Sequence, residues 1–367
     1  MKLTRATSQA LSLIHLVSFL FAFAFWLATG NVAQAVDACS EPIGSVAITL
    51  LTNSDTFVSI PYTRAPLFCG TVQSVSGNAV TVQGAPGWTD GQWSQVTTNG
   101  YFPDSVVLTS GAQEGATFGI TNNSPDTLLL ATGGCYDLTG VSAGDQLAII
   151  PYWTLGTVFP GGAGVTPSTL VLHKTELLFF FPCPHCSGLP NPTVYIYYFY
   201  NSHWRKVGAS SSSNYDDAVL LPEQFFIVRQ NSTAPTSTFT ATGNVVQYAT
   251  RTCLYADSVT TNWDNFVANY HSTTQTLDQA NLAAAFLASD PGTNPPTIND
   301  LLFVYDNTAM KKNKAPAHVY FYNVDHWADL ANPPYTANRG GDPIFVPGTG
   351  VTVRKRPGST TVWVNPP

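Results

Sequence analysis

Short runs of apolar residues, each bounded by glycine, proline, asparagine or serine, recur along most of the chain. Between residues 64 and 149, five or six such runs follow one another at intervals of roughly ten residues. Ala79–Gln83 alternates apolar and polar positions, as a strand with one buried face does, whereas Val194–Tyr200 is apolar or aromatic throughout, which is typical of a strand buried on both faces. The pattern predicts an all-β protein.

One segment departs from the strand pattern. Apolar side chains recur at helical spacing over Leu277–Ala288, and Asp290-Pro291-Gly292 follows as a stop signal. We therefore expect one short helix in an otherwise β-rich chain.

The N-terminal segment has the character of an export signal. Lys2 and Arg5 precede the apolar run Leu11–Leu27, and Ala33-Gln34-Ala35 supplies the small residues that a signal peptidase requires. We expect cleavage near Ala35 and secretion to the periplasm, the cell surface or the exterior. Retention of the apolar run as a membrane anchor is the alternative. After cleavage we expect no membrane span.

Two parts of the chain repeat one another. Three pairs of segments match in the same order and at nearly constant offset: Thr175–Phe180 with Asn299–Val304, Tyr198–Asn201 with Tyr320–Asn323, and Asp217–Pro222 with Asp342–Pro347. A shorter match joins Asp55–Ser59 to Asp264–Ala268. Self-similarity of this kind indicates a duplicated structural unit.

The first copy is longer than the second, and a near-repeat brackets the excess. Ile60-Pro61-Tyr62 is echoed by Ile150-Pro151-Tyr152. We predict a small β domain inserted at 64–149, within a first β unit made of 36–63 and 150–245, and a second β unit at 246–367, after a signal peptide at 1–35. The predicted fold class is all-β: duplicated antiparallel β-sandwich or barrel units, an inserted small β-barrel domain and one short helix.

The composition supports the all-β class and argues against one kind of binding partner. Charged residues make up 10% of the chain, with only four glutamates, so the sequence excludes a helical bundle or coiled coil. Apolar residues make up 44%, enough for a core. The net charge of −7 and the shortness of the basic runs argue against nucleic acid as a partner.

Export determines how the six cysteines are interpreted. They form an even set, for which disulfides are the expected state in an oxidising compartment: Cys39, Cys69, Cys135, Cys183, Cys186 and Cys253. Six cysteines allow 15 pairings, and sequence does not choose among them. A bond between Cys69 and Cys135, near the two ends of the insert, would staple it, and Cys183 and Cys186 are already neighbours.

Several of these segments resemble an uncharacterised family of secreted, β-rich bacterial proteins. The similarity lies in Phe57–Arg64, Gly70–Asn78, Ser110–Leu130, Gly144–Pro160 and the two Tyr-x-Tyr-Asn hairpins, and so covers most of the mature chain. The resemblance implies export and a role at the surface or outside the cell. It transfers no catalytic residue, because that family has no assigned activity.

Cys183-Pro184-His185-Cys186 departs from the family pattern and has two interpretations. Cys-x-x-Cys with an internal histidine resembles the redox centre of periplasmic thiol oxidases, in which a helix N-terminus lowers the pKa of the first thiol. The following Ser187–Pro192 contains two prolines and cannot begin a helix, which favours a structural disulfide. No second ligand pair accompanies the motif, so we predict no metal site.

The duplicated hairpins supply the candidate binding residues. These are His203, Trp204, His326, Trp327, Tyr198 and Tyr320. Histidine beside exposed aromatic rings would suit a sugar or peptide. Alternatively, the tryptophans pack inward and the tyrosines form cross-strand pairs.

Catalytic motifs are missing from the sequence. No nucleophile elbow, P-loop or His-Glu-x-x-His is present, and the adjacent Asp216 and Asp217 would point to opposite faces of a strand. We therefore expect a secreted or cell-envelope protein with a structural or adhesive, non-enzymatic role and no cofactor. Polysaccharide and envelope or surface proteins are the expected partners. A glycan-binding module and a periplasmic thiol-disulfide oxidoreductase using Cys183 and Cys186 are the alternatives.

Overall fold

Strands make up nearly all the regular structure of a computed structural model, which describes residues 41–133, 135, 137–180, 194–257, 260–290, 292 and 297–367. The predicted all-β class is confirmed. Among the residues that the structure describes, no helix has the length and apolar character needed to cross a bilayer.

A closed barrel of six strands follows the first three strands of the chain. The first three are β1 (Ile43–Leu50), β2 (Ser54–Val58) and β3 (Tyr62–Thr63). The barrel strands are β4 (Phe68–Ser76), β5 (Ala79–Val82), β6 (Asp104–Leu108), β7 (Thr117–Asn123), β8 (Thr127–Leu130) and β9 (Gln146–Pro151), closed in the order β4-β5-β8-β7-β6-β9. Strand β4 pairs with β9 through its first half and with β5 through its second. Alternate side chains fill the interior, as expected for a small barrel.

The first sandwich is completed by the segments after the barrel. These are β10 (Trp153–Thr154), α1 (Leu155–Val158), a 3-10 turn (Pro160–Gly162), β11 (Thr175–Phe180), β12 (Val194–Tyr200), β13 (His203–Lys206), β14 (Val219–Leu220), β15 (Phe226–Gln230) and β16 (Ser237–Val245). One sheet has the order β13-β12-β11-β15-β2 and the other the order β1-β16-β3, while β10 pairs with β14. Their facing side chains form one core.

The second sandwich repeats this arrangement without an insert. Its elements are β17 (Thr250–Leu254), β18 (Trp263–Ala268), a 3-10 turn (Leu282–Ala285), β19 (Leu301–Val304), β20 (His318–Asn323), β21 (His326–Asp329), β22 (Gly350–Lys355) and β23 (Thr361–Asn365). Its five-stranded sheet runs β21-β20-β19-β22-β18, the same order as in the first sandwich. The pair β17-β23 corresponds to β1-β16.

An arginine–aspartate pair fixes the register between the two copies. Arg229 donates two hydrogen bonds to Asp55, at 2.7 and 2.8 Å, and Arg354 makes the same two bonds to Asp264. In this register Tyr197, not Tyr198, corresponds to Tyr320. The sequence match was therefore displaced by one residue, and a one-residue displacement moves a side chain to the opposite face of its strand.

The two five-stranded sheets meet through two equivalent aromatic stacks. Phe57 lies on Tyr305 with ring centroids 3.9 Å apart, and Phe266 lies on Phe180 at the same separation. In the structural register Phe57 corresponds to Phe266, and Phe180 to Tyr305. Each copy thus contributes one ring of each kind, which is the pattern of an isologous, two-fold interface.

The predicted helix over Leu277–Ala288 is wrong. Turns lead to the 3-10 segment already described, and Asn281, at a φ of 53°, interrupts the right-handed path. Leu277 and Leu282 are buried beneath the sheet, but Leu287 is exposed. Tertiary packing therefore selects a different set of buried positions from the one that helical spacing predicts.

The proposed Cys69–Cys135 staple is also wrong. Cys135 is bonded to Cys253, so this bond joins the barrel to the second sandwich. Cys69 is disulfide-bonded as well. Cys39, Cys183 and Cys186 lie outside the described residues. Cys135 and Cys253 are 118 residues apart in the chain, a pairing that neither spacing nor motif favoured.

Candidate functional site

The two tryptophans of the predicted binding surface lie in the cores. Trp204 is 1% exposed and its ring packs on Phe159, while Trp327 is fully buried against Phe286. The partner phenylalanines each follow a single short helical turn, at equivalent places in the two copies. A fully enclosed ring offers no face to a sugar, so the surface role considered for Trp204 and Trp327 is corrected to one in packing.

The tyrosines of that surface are buried too. Tyr198 stacks on His173 with 4.0 Å between centroids. Tyr320 donates a hydrogen bond from its hydroxyl to Asp342 at 2.9 Å, and burial together with that carboxylate raises the pKa of its phenol. Both rings therefore stabilise the sandwiches and are not available as a platform for glycans.

The two histidines lie at the tips of equivalent hairpins, and each pairs with a nearby carboxylate. His203 bonds to Asp216 at 2.7 Å, and His326 bonds to Asp325 at 2.7 Å. Burial alone would raise the pKa of Asp216, but hydrogen bonds from the Trp204 backbone and from His203 lower it. The hydrogen bond to Asp325, and then one to a backbone carbonyl, raise the pKa of His326. The first pair joins the hairpin to the loop after β13, and the second lies at the turn between β20 and β21.

The adjacent aspartates considered for acid–base chemistry both serve the fold. Asp216 receives the bonds just described, and Asp217 accepts a hydrogen bond from the Thr98 backbone at 2.8 Å. In the part of the chain that the structure describes, no group of three or more histidine, cysteine, aspartate or glutamate side chains could hold a metal ion.

Two clefts at the junction of the barrel with the sandwiches remain as the candidate site. The first has a volume of about 70 Å³, and its lining includes both Arg64 and Arg251. The second, with a volume of about 160 Å³, lies between β7 and the start of the second sandwich, and the Cys135–Cys253 disulfide forms part of its wall. Thr117 and Glu223 line both clefts. The two clefts therefore meet at these residues.

Glu223 lies in the loop between β14 and β15, and the interface between the copies positions its backbone. Ala268 donates its backbone N–H to the Glu223 carbonyl at 3.0 Å, and Ser59 donates to the Gly348 carbonyl at 3.1 Å. The two bonds are equivalent in the structural register. Gly348 is therefore the counterpart of Glu223, and the second copy has no side chain at this position.

Glu223 is half-buried, and its carboxyl has no ionic partner among the described residues. Its hydrogen bond comes from its own backbone N–H, and burial raises its pKa. Burial, followed by the charge of Glu223, raises the pKa of the neighbouring Tyr255 and Tyr101 phenols. A carboxyl that lines both clefts and whose pKa is raised by burial is a candidate functional group.

The sequence contains one signal for Glu223 that belongs to no functional motif. Glu223 is one of only four glutamates, and it comes directly after the last residue of a repeat match, Pro222 with Pro347. Extending that match by one residue would have paired glutamate with Gly348.

No known family model, curated protein or solved structure matches the chain.

Proposed function

We propose that the protein is a non-enzymatic structural or adhesive component of the cell envelope or exterior. The observation that carries this proposal is the Cys135–Cys253 disulfide, which joins the barrel to the second sandwich. Such bonds persist in oxidising compartments. A covalently joined, rigid body suits a protein that must keep its shape outside the cell.

Non-covalent contacts hold the same barrel on both sides. Asn99 exchanges two hydrogen bonds with the backbone of Val219 in the first sandwich, at 3.0 and 3.1 Å. Arg251 of the second sandwich donates to the carbonyls of Glu114 and Ala112, at 2.8 and 2.7 Å. The barrel is therefore fixed to both copies.

The alternatives have less support. Glycan binding was inferred from aromatic rings that are buried, so it would need a different surface. Thiol-disulfide exchange was inferred from Cys183 and Cys186, which lie outside the described residues.

Fractionation and envelope binding test the proposal together. We expect the tagged full chain, expressed in a bacterium, to be found outside the cytoplasm and to begin just after Ala35. Cys135 and Cys253 should react with an alkylating reagent only after reduction. The purified protein should bind washed envelopes saturably. A cytoplasmic chain with reactive thiols, or no retention on envelopes, would contradict the proposal.

A further inference from the structure

The second cleft has an unusual balance of charges. Its walls include Glu223 and Asp264, and no lysine or arginine is among the described residues that line it. Asp264 is already neutralised by its two hydrogen bonds from Arg354. Glu223 is thus the one acid in this wall that lacks a cation among the described residues.

The rest of the wall is suited to an apolar body. Tyr255 and Phe266 line the cleft with aromatic side chains, and its volume of about 160 Å³ is similar to that of an apolar cavity that holds benzene. Aromatic faces attract organic cations, because their ring quadrupole is negative above the plane. A carboxylate beside such rings combines charge and shape recognition for the same ligand.

The second copy lacks this arrangement. Gly348 replaces the glutamate, and a Cβ built there would lie 2.8 Å from the Ile48 side chain. The backbone around the two positions makes equivalent hydrogen bonds, so the fold does not require an acid at 223. A half-buried acid without an ionic partner costs stability, so its presence in one copy alone indicates a use other than folding.

We propose that the second cleft binds a small organic cation, an ammonium ion carrying an apolar or aromatic body, with Glu223 as its counter-ion. The ammonium group lies against the Glu223 carboxylate, and the apolar body lies among the aromatic rings. This binding site is independent of the envelope role proposed above.

A matched pair of probes tests the charge directly. Titration calorimetry of the full-length disulfide-bonded protein would compare phenethylamine with 2-phenylethanol, its neutral analogue of similar shape. We expect the amine to bind roughly 10- to 100-fold more tightly, the range typical of a hydrogen bond to a charged group. Equal binding, tighter binding of the alcohol, or no binding of either probe would overturn the proposal.

Two variants then assign the effect to Glu223. Glu223→Gln should remove most of the preference for the amine while leaving the weak binding of the alcohol within about threefold. Glu176→Gln is the control, because it makes the same chemical change at a residue that bonds to His173 and lines neither cleft. Retention of the preference in Glu223→Gln, or its equal loss in Glu176→Gln, would refute the assignment. The comparison of the two probes on the unaltered protein holds even if a variant folds poorly.

Discussion

The two sandwiches have the same strand order but differ in the polar residues that they bury at equivalent positions. At one buried position the first copy pairs Thr175 with Gln230 through a neutral hydrogen bond of 2.7 Å. At the equivalent position the second copy pairs Asp300 with Lys355, an ion pair that is also buried. Strand order and the Arg–Asp register pairs are the same in both. Features shared by the copies therefore maintain the fold, and differences identify where each copy acquired its own properties.

Removing one partner from each buried pair should give the largest difference between the two copies in the loss of stability. Lys355→Met leaves Asp300 buried without its cation, and we expect a loss of about 3–5 kcal/mol in the free energy of unfolding. Gln230→Met breaks neutral hydrogen bonds and should cost about 1–3 kcal/mol. Urea denaturation monitored by tryptophan fluorescence would measure both. An equal or larger loss for Gln230→Met would contradict the comparison.

The two aromatic stacks between the five-stranded sheets, in contrast, should have equal coupling energies. Double-mutant cycles that change Phe57 and Tyr305 to leucine, and Phe266 and Phe180 to leucine, measure the coupling within each stack. We expect about 0.5–1.5 kcal/mol in each, with agreement to within about 0.5 kcal/mol. A strong coupling in one stack and none in the other would mean that the two-fold interface is not balanced in energy.

Strand patterning predicted the class of the fold, but the register needed the structure. Tyr197, Tyr198 and Tyr200 offer similar matches at neighbouring offsets, so identity favoured Tyr198 with Tyr320, whereas hydrogen bonding aligns Tyr197. The inward tryptophans were an open alternative in the sequence because aromatic residues in strands serve both cores and surfaces.

The sequence could single out Glu223 but not the cleft around it. Thr117, Glu223 and Thr252 come from the barrel, the first sandwich and the second, and only the folded chain brings them to one cleft. The disulfide that forms part of the wall connects residues 118 positions apart. Local patterns carry no information about such distant pairings.

The smallest expected effect on stability comes from the pair of His326 with Asp325 at the hairpin tip of the second copy. Because Asp325 raises the pKa of His326, the folded state binds a proton more tightly than the unfolded chain does. This contribution is fully present below the ordinary histidine pKa of about 6.5 and is lost as the pH rises through the raised value. We expect less than about 1 kcal/mol, because the pair lies at the surface.

NMR titration of the His326 ring would measure its pKa, and His326→Gln should flatten this part of the stability profile. A ring that titrates at or below the ordinary histidine value would contradict the prediction.

Glu223 is a half-buried carboxyl without a cation among the described residues, and the pH dependence of stability measures the cost of that position. An unfolded glutamate ionises near pH 4.5, whereas burial raises the pKa of Glu223 in the folded protein. As the pH rises through this window, the unfolded state loses its proton first, so the intact protein should lose stability by up to about 1.4 kcal/mol per pH unit relative to Glu223→Gln.

The decisive measurement is the difference in unfolding free energy between the intact protein and Glu223→Gln from pH 4 to pH 8, without ligand. We predict that the variant becomes progressively the more stable of the two as the pH rises, and that the difference then levels off. A difference that stays flat, or that favours the intact protein at higher pH, would contradict the account.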